Sequence, residues 1–480
     1  MAPITPTSKI IIVGSGVFGI STALWLARSG YTDVTVLDMQ DTAAAAYDPL
    51  AGVDSASADL NKIIRFSYGE EIEYQRLAAE AARLWEQWNR DIATTPEADL
   101  PEGLRGGKNE RKLWWNTGFL RMSCKPELGD FEVKTLENMR RDGIREEQFR
   151  TDDDADIARA KERGWAHKLD PCRRQERFGI HKAVLESSAG FVYAYKSCAW
   201  AQHLAAQAGV KMILDPTRGK VVDIVTRDSH PVVFTTDGAE HAADLVVVAG
   251  GGWTPSLIPE VRGLLETTAG SVATIQIPKD SPELWKKFAP ENHPVISWGS
   301  RQGKEVYSIP RDDNGAFKIG WRKTKWTNFE TVRGHRISVP KTAHVTEQKE
   351  TRIPMEALNG IKEYIDINFP ELVPLGIAST RLCWYTDSID NSFVVDFVPG
   401  RPGVVVCSGG SGHGFKFLPI LGREVVKILE GRGPQTVYGR MWRWRSSTEA
   451  RRNGLEEGEL GPRVLAKQTM AEETDWKSAH

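Results

Sequence analysis

The sequence predicts an α/β protein in which a nucleotide-binding fold carries a second, mainly antiparallel part. Near the N-terminus, KIIIVGSGVFGISTALWLARSGYTDVTVLD has the pattern of a strand, a glycine-rich turn, a helix and a second strand. Near the C-terminus, RPGVVVCSGGSGHGFKFLPILGREVVKILEG again gives a strand, a glycine-rich loop and a helix. Between them, residues 270 to 345 show the pattern of antiparallel strands.

Length and charge exclude several classes of protein. With 480 residues the chain is long enough for about two domains. The net charge is -2 and the basic residues are dispersed, so no nucleic-acid partner is expected. No uncharged apolar run approaches the ~18 residues that span a bilayer, so no membrane partner is expected.

The cysteines and the chain ends indicate an intracellular protein without a metal. Five cysteines without CxxC spacing favour neither a disulfide scaffold nor a zinc site. The N-terminal MAPITPTSK lacks the apolar stretch of a secretory signal. The last three residues differ from the Ser-Lys-Leu peroxisomal type, so the sequence predicts a cytoplasmic or peroxisomal location without choosing between them.

The N-terminal segment justifies the first prediction. Residues 9 to 13 form a β-branched run typical of a strand buried on both faces. Gly14 allows the tight turn, Gly16 lets the backbone approach a pyrophosphate, and Gly19 lets the helix pack on the strand. Asp38 ends the second strand 24 residues after Gly14, where it suits a ribose hydroxyl. The segment predicts a dinucleotide site but does not choose between FAD and NAD.

Later segments extend this fold. Residues 70 to 90 have the period of an amphipathic helix, residues 200 to 209 and 355 to 369 are also helical, and residues 243 to 253 form a strand entering a glycine turn. The nucleotide elements come from the beginning, middle and end of the chain, so the cofactor domain is expected to be discontinuous. We assign residues 1–95, 190–265 and 375–440 to it, residues 96–189 and 266–374 to a substrate domain, and 441–480 to a charged tail.

Several single residues have ordinary explanations when taken alone. A lone cysteine such as Cys383 is usually a small buried hydrophobe, and a lone lysine such as Lys416 is usually a surface charge. Lys318 differs because GAFKIGW places it in an apolar strand, where an inward lysine needs an anion or a catalytic role. Arg65, one helical turn after Lys62, forms either a surface pair or a carboxylate clamp.

Four motifs together resemble one known family. They are the N-terminal fingerprint, DLNKIIR, CWYTDSIDNSFVVD and SGHGFK, and the likeness runs from about residue 8 to about residue 435. The chain resembles the monomeric sarcosine oxidase family of FAD-dependent amine oxidases. It is most similar to fungal fructosyl amino acid oxidases (amadoriases), saccharopine and pipecolate oxidases, and N-methyl amino acid oxidoreductases. The resemblance implies an FAD-binding Rossmann-like domain of the D-amino acid/sarcosine oxidase type with an inserted substrate domain.

The resemblance also implies roles for individual residues. Cys383 matches the cysteine that holds FAD covalently, and Lys318 matches the lysine that assists reaction with dioxygen. Tyr307 matches an active-site tyrosine. Arg65 and Lys416 match the pair that binds the substrate carboxylate.

Further matches concern the cofactor. Lys62 matches a basic residue over the flavin, with a catalytic role, and Val222 lies near the segment that contacts adenine. The remaining expected cofactor contacts are glycines and their neighbours in the two glycine-rich motifs and the middle strand end: Gly14, Gly16, Val17, Phe18, Gly19, Asp38, Gly250, Gly412, Gly414, Phe415 and Lys416.

Three departures from the family pattern concern the substrate. Sarcosine oxidase has a histidine where this chain has Arg322, which adds a cation to the pocket and implies a larger or more anionic substrate. Some amadoriases carry arginine where this chain has His413, which argues against fructosyl amino acids. The insertion at residues 41 to 57 is longer than the family pattern predicts.

The sequence thus predicts oxidation of a carboxylate-bearing secondary or N-methylated amine by FAD and dioxygen, giving an imine and hydrogen peroxide, in a protein expected to be a monomer. One alternative is a tailoring enzyme of secondary metabolism that cyclises or removes an N-methyl group. Others are a fructosyl amino acid oxidase and a flavin dehydrogenase with another electron acceptor. A different class is a non-catalytic or NAD-dependent dinucleotide-binding protein.

Overall fold

The computed structural model describes residues 4–41, 55–106, 111–342, 351–446 and 453–477. The insertion expected at residues 41 to 57 lies mostly outside these described residues. The helices of the described residues are α1 (Val17–Arg28), α2 (Ile72–Thr94), α3 (Asp130–Arg141), α4 (Asp154–Glu162), α5 (Arg174–Phe178), α6 (Ala194–Gln207), α7 (Thr254–Leu257), α8 (Pro282–Lys287), α9 (Met355–Asn368), α10 (Leu421–Leu429), α11 (Val437–Trp442) and α12 (Glu473–Trp476).

The strands of the described residues form two large sheets and three small ones. They are β1 (Ile10–Val13), β2 (Val34–Asp38), β3 (Asn61–Ile64), β4 (Trp114–Trp115), β5 (Phe119–Met122), β6 (Gln148–Arg150), β7 (Ala183–Glu186), β8 (Gly190–Tyr193), β9 (Lys211–Leu214), β10 (Val221–Arg227), β11 (His230–Thr235), β12 (Glu240–Ala242), β13 (Leu245–Val248), β14 (Leu265–Gln276), β15 (Val295–Trp298), β16 (Val306–Ile309), β17 (Ala316–Trp326), β18 (Phe329–Val332), β19 (His335–Ser338), β20 (Ser379–Ser388), β21 (Val394–Phe397) and β22 (Val404–Ser408).

The first large sheet has the order β21-β22-β13-β1-β2-β9. Its pairs are parallel except for the antiparallel pair of β21 and β22. All four residues of β1 are buried, as expected for a strand covered on both faces. Since parallel strands end at the same edge, the turns after β1, β2, β13 and β22 meet there, although they come from distant parts of the chain.

The second large sheet has the order β20-β14-β17-β16-β15-β5-β7-β6. It is antiparallel except for the parallel pair of β5 and β15, so the expectation of an α/β fold with a mainly antiparallel second part is confirmed. Residues 95 to 190 supply β5, β6 and β7 to this sheet. The small sheets are β10-β11-β12, β18-β19 and β3-β8-β4.

Separate apolar cores support the two large sheets. On one face of the parallel sheet, α1, α2, α6 and α10 bury residues such as Leu24, Trp85 and Leu421. The eight-stranded sheet packs against α9, where Phe317 and Tyr364 are fully buried. Each sheet therefore has its own hydrophobic support.

The C-terminal tail packs on the second sheet in short turns. Leu465, Ala471 and Trp476 are buried in its core. Arg463 donates to the carboxylate of Glu266 on β14 at 2.9 Å. The described part of the tail is thus a strap fixed by apolar and ionic contacts, more ordered than its charged composition suggested.

The described residues show neither a membrane-spanning helix nor a metal cluster. They contain no helix that is both long and apolar enough to cross a membrane. Within the same residues, no group of three or more His, Cys, Asp or Glu side chains is placed to hold a metal ion.

The contact of α1 with α10 gives a test of the packing. A Cβ at Gly422 would lie 2.0 Å from the carbonyl oxygen of Ser21, so Gly422→Ala must push the helices apart. We expect a loss of stability on the order of 2 kcal/mol and a melting temperature lower by several degrees. Gly103→Ala is the matched control because nothing lies within 4 Å of its Cβ position. Equal melting temperatures of the two variants would contradict this packing.

Candidate active site

One cavity of about 980 Å³ joins the carboxyl edge of the parallel sheet to the second sheet. Its size is at the upper end of the range for cofactor and ligand sites, about 300–1,000 Å³. Most residues singled out in the sequence line it, namely Gly14, Gly16, Val17, Phe18, Asp38, Lys62, Arg65, Val222, Gly250, Tyr307, Arg322, Cys383, Gly412, His413, Gly414, Phe415 and Lys416. Gly19 and Lys318 are not part of its lining.

The glycine turn after β1 leaves no room for side chains. Gly14 has φ +104°, and a Cβ there would lie 2.5 Å from the carbonyl oxygen of Ala249 at the end of β13. A Cβ at Gly19 would lie 1.9 Å from the carbonyl oxygen of Gly14, so this glycine lets α1 approach the turn closely. The N-terminus of α1 therefore opens onto the cavity, which is the arrangement that binds a pyrophosphate.

Asp38 lies beside this turn. One carboxylate oxygen accepts from the Ser15 backbone N–H at 2.6 Å and from the Ser15 hydroxyl at 2.9 Å, and the other accepts from the Gln40 N–H at 3.1 Å. A carboxylate has further lone pairs available for a ribose hydroxyl. Val222 lines the same end of the cavity, and its side chain is 42% exposed. Turn, helix end and carboxylate together fit a dinucleotide.

The second glycine-rich loop packs directly on the first. A Cβ at Gly414 would lie 2.9 Å from the Phe18 ring, and one at Gly410 would lie 3.1 Å from it. The ring of Phe18 also meets Phe393 edge-on, with centroids 5.2 Å apart. The loop of residues 409–416 is thereby fixed over α1, which brings His413 and Lys416 to the cavity.

Asp59 forms the charged centre of the site and was missed in the sequence. Its carboxylate is fully buried and accepts from Lys62 Nζ at 2.7 Å and from Lys318 Nζ. Arg381 lies 3.5 Å from its other oxygen. Lys318 Nζ also donates to the Asn61 carbonyl at 2.9 Å. The signal was present in DLNKIIR, where an acid stands three residues before a lysine, but nothing local showed that two strands would add further cations.

The pKa values in this group follow from burial and charge. Burial raises the pKa of Asp59, but Lys318, Lys62 and Arg381 outweigh it and hold the pKa well below its usual range. Burial lowers the pKa of Lys318 to about 8, although Asp59 opposes this change. For Lys62, burial also acts to lower the pKa, but Asp59 outweighs it and the net pKa is raised. Asp59 is therefore an anion and Lys62 a cation at neutral pH.

Cys383 lies next to this cluster. It is on β20, opposite Gly270 of β14, and its Sγ is 3.7 Å from Lys62 Nζ. Burial acts to raise the pKa of the thiol, but Lys62, Arg381 and Lys318 together outweigh it, so the pKa lies below the ordinary value for cysteine. Burial raises the pKa of Cys407 in the parallel-sheet core to about 12, so that thiol is inert. The charged surroundings of Cys383 thus give its thiol a lower pKa than that of Cys407.

Tyr307 is on β16, which pairs with β17. It is opposite Gly320, where a Cβ would come within 2.4 Å of the tyrosine hydroxyl oxygen. Burial raises the pKa of Tyr307 to about 12, so its hydroxyl is neutral and can donate a hydrogen bond into the cavity.

Arg65 and Lys416 meet around Tyr68, a residue that the sequence did not single out. The Lys416 Nζ donates to the Tyr68 hydroxyl at 2.7 Å, and the Arg65 guanidinium lies 4.9 Å from the Tyr68 ring centroid. His413 Nε2 contacts the Asn391 carbonyl at 2.8 Å, so it carries the proton, and Nδ1 accepts from Tyr68 at 3.2 Å. This hydrogen-bond chain fixes the direction of the Lys416 ammonium group.

The charges of Lys416 and Arg65 are not neutralised by the protein. Among the described residues, neither side chain forms an ion pair with a carboxylate; Lys416 donates to the Tyr68 hydroxyl and Arg65 to the Ser67 hydroxyl. Burial, and then Arg65, lower the pKa of Lys416 well below the usual value for lysine. Two cations that face one cavity in this way are suited to hold an anionic ligand.

Comparisons with known proteins show the family of the chain. Residues 9–428 match the family model described as DAO, FAD dependent oxidoreductase. The chain is 25% identical to L-saccharopine oxidase of Schizosaccharomyces pombe, over 92% of this chain and 94% of that protein. It is 24% identical to N-methyl-L-tryptophan oxidase of Salmonella heidelberg, over 88% and 95%.

Solved structures agree in fold. The modified fructosyl peptide oxidase from Aspergillus nidulans superimposes with a TM-score of 0.75 and 26% identity, covering 96% of this chain and 98% of that one. The predicted resemblance and the FAD dependence are thereby confirmed, and the alternative of an NAD-dependent or non-catalytic protein is excluded. The chain belongs to the DAO family of FAD-dependent oxidoreductases.

Proposed function

We propose that this protein is an oxidase that converts an amine bearing a carboxylate to an imine, using FAD and dioxygen. The observation that carries the proposal is the pair Arg65 and Lys416, two cations without a carboxylate partner among the described residues, facing the cavity that fits FAD. The relatives named above as amine and amino acid oxidases support the same reaction class.

Different residues of the cavity would hold different parts of FAD. Gly14, Gly16 and the start of α1 would bind the pyrophosphate, and Asp38 a ribose. Bound FAD supplies the hydride acceptor and passes the electrons to dioxygen. We further propose that residues 1–95, 190–265 and 375–440 act as the FAD domain and that residues 96–189 and 266–374 act as the substrate domain. We also propose that the protein is a monomer.

Arg65 and Lys416 would bind the substrate carboxylate and so fix the reacting C–H bond. Such positioning can supply about 7–11 kcal/mol of the barrier reduction at best. The same cations disfavour a protonated amine close by, so they keep the reacting nitrogen neutral. Tyr307, with its neutral hydroxyl, can donate a hydrogen bond to a ligand beside Cys383.

We also propose that Cys383 joins the flavin as a thioether. The low pKa beside Lys62 favours the thiolate, which is the nucleophilic form. Joining the thiol to a flavin carbon exchanges one S–H and one C–H bond for a C–S bond. The two electrons and two protons released go to dioxygen, giving hydrogen peroxide.

Replacing the thiol tests the covalent bond. We expect Cys383→Ala to release its flavin into the supernatant after acid precipitation, whereas the wild type keeps its flavin with the protein. The matched control is Cys407→Ala, which removes a buried thiol outside the cavity and is expected to keep the bond. Retention of flavin by Cys383→Ala would contradict the assignment.

Lysine variants separate the reaction with dioxygen from the reaction with amine. Because Lys318 adds positive charge to the Asp59 cluster, Lys318→Met is expected to slow flavin reoxidation on the order of a hundredfold and to change flavin reduction little. Stopped-flow absorbance measures both rates. Lys62→Met shows whether the lysine that lines the cavity shares this role, and exposed Lys134→Met is the control. Equal slowing of both half-reactions in Lys318→Met refutes the role.

The carboxylate site has a defined pH dependence. The pKa of Lys416 is depressed without ligand, so above that pKa the amine is neutral and binding a carboxylate draws a proton onto it. Affinity therefore falls as pH rises through the depressed pKa. Titration calorimetry with benzoate in two buffers of different ionisation heat should show proton uptake. Lys416→Met should abolish the uptake and weaken binding at least tenfold. The surface variant Lys279→Met should keep both the proton uptake and the affinity for benzoate. Unchanged affinity in Lys416→Met would contradict the site.

A further inference from the structure

Arg322 is a third cation on the cavity wall with no acidic partner among the described residues. Its Nη2 donates to the Tyr385 hydroxyl at 2.9 Å, and its Nη1 approaches the Gly412 carbonyl at 3.4 Å. Its Nε is buried and has no hydrogen-bond partner. The Arg322 backbone N–H donates to the Glu305 carbonyl at 3.1 Å, but the Glu305 carboxylate forms no ion pair with it.

The surroundings are shaped around this guanidinium. Gly412 has φ +70°, and a Cβ there would lie 2.2 Å from Arg322 Nη1. On the other side, a Cβ at Gly270 would lie 3.5 Å from Arg322 Cγ. The guanidinium carbon lies 5.1 Å from the Tyr385 ring centroid. Two glycines and an aromatic ring thus hold the side chain in one place, as a preorganised binding group requires.

Four other cations that line the cavity form ion pairs. Lys325 binds Asp387 at 3.1 Å, and Arg463 binds Glu266 at 2.9 Å. Two more exposed cations also form ion pairs, Lys323 with Glu356 and Arg333 with Asp223. Asp387 and Glu305 influence the charge of Arg322 electrostatically, but among the described residues neither carboxylate forms an ion pair with it.

Arg322 is near Arg65 and Lys416 but forms a separate site. Burial first, then Lys416, Arg65 and Arg322 lower the pKa of His413, so the charges of all three reach this imidazole. Lys416 contacts the chain of Tyr68 and His413, whereas Arg322 contacts the adjacent Gly412 carbonyl. The loop of residues 409–416 thus lies between two positively charged positions.

We propose that Arg322 binds a second acidic group of the substrate, so that the substrate class is amines carrying two carboxylates. This inference rests on the proposed function, in which Arg65 and Lys416 take the first carboxylate. A guanidinium binds a carboxylate through two parallel N–H···O bonds. Because Nε is buried, the two Nη groups would be the donors, and Nη1 has only its 3.4 Å contact with the Gly412 carbonyl to give up.

The test compares ligands that differ in one charge. The probes are succinate, glutarate, adipate and pimelate, each against its monoamide, with the dissociation constant measured from the perturbation of the flavin absorption band. We expect at least one dicarboxylate to bind tenfold or more tightly than its monoamide. Arg322→Gln should remove this preference and leave the affinity of the monoamide nearly unchanged.

Two further variants separate charge from folding. Arg322→Lys keeps the positive charge and should retain part of the preference, which a merely structural role would not require. The control Arg227→Gln removes an exposed arginine on β10 and should behave as the wild type. Flavin content and melting temperature are recorded for each variant.

The outcomes distinguish the two proposals. Equal binding of every dicarboxylate and its monoamide, or an equal loss of both in Arg322→Gln, overturns the second acidic site but leaves the first. Failure of all carboxylates to bind overturns both. If Arg322→Gln changes only the flavin spectrum and keeps the dicarboxylate preference, Arg322 faces the cofactor and the inference is wrong.

Discussion

The buried carboxylate of Asp59 is the interaction on which the site depends. Asp59 follows β1, α1 and β2 in the chain, whereas Lys318 and Arg381 come from β17 and β20 of the second sheet. Removing one partner from a buried ionic group typically costs about 3–5 kcal/mol, because the remaining charges stay buried without compensation. Asp59 therefore links the two sheets and holds positive charge beside Cys383, through its contact with Lys62.

Topology supplies the second constraint. Because β1, β2, β13 and β22 are parallel, the turns that follow them gather at one edge. The two glycine-rich loops then pack through Phe18, which lies against Gly410 and Gly414. This contact brings Lys416 to within hydrogen-bond distance of Tyr68, three residues after Arg65. The cofactor fold and the proposed carboxylate site are consequences of the same packing.

Much of this organisation could be predicted from local patterns. Strand periodicity and the spacing of Gly14, Gly16 and Gly19 are local, so they predicted the fold, and the resemblance supplied the functional residues. Asp59 and Tyr68 were missed because their importance depends on partners more than 250 residues away. Lys318, which the resemblance assigns to the reaction with dioxygen, is paired with Asp59 and is not part of the cavity lining. Long-range ion pairing, which no short motif encodes, decides such positions.

The most direct test compares N-methyl amino acids with the corresponding N-methyl amino amides under anaerobic conditions. The panel includes sarcosine, N-methylated aromatic amino acids and pipecolate, each with its carboxamide. We predict that at least one acid bleaches the flavin band far faster than its amide, and that air then restores the band with one hydrogen peroxide per flavin. Equal bleaching by acid and amide, or recovery without peroxide, would contradict an oxidase that recognises a carboxylate through Arg65 and Lys416.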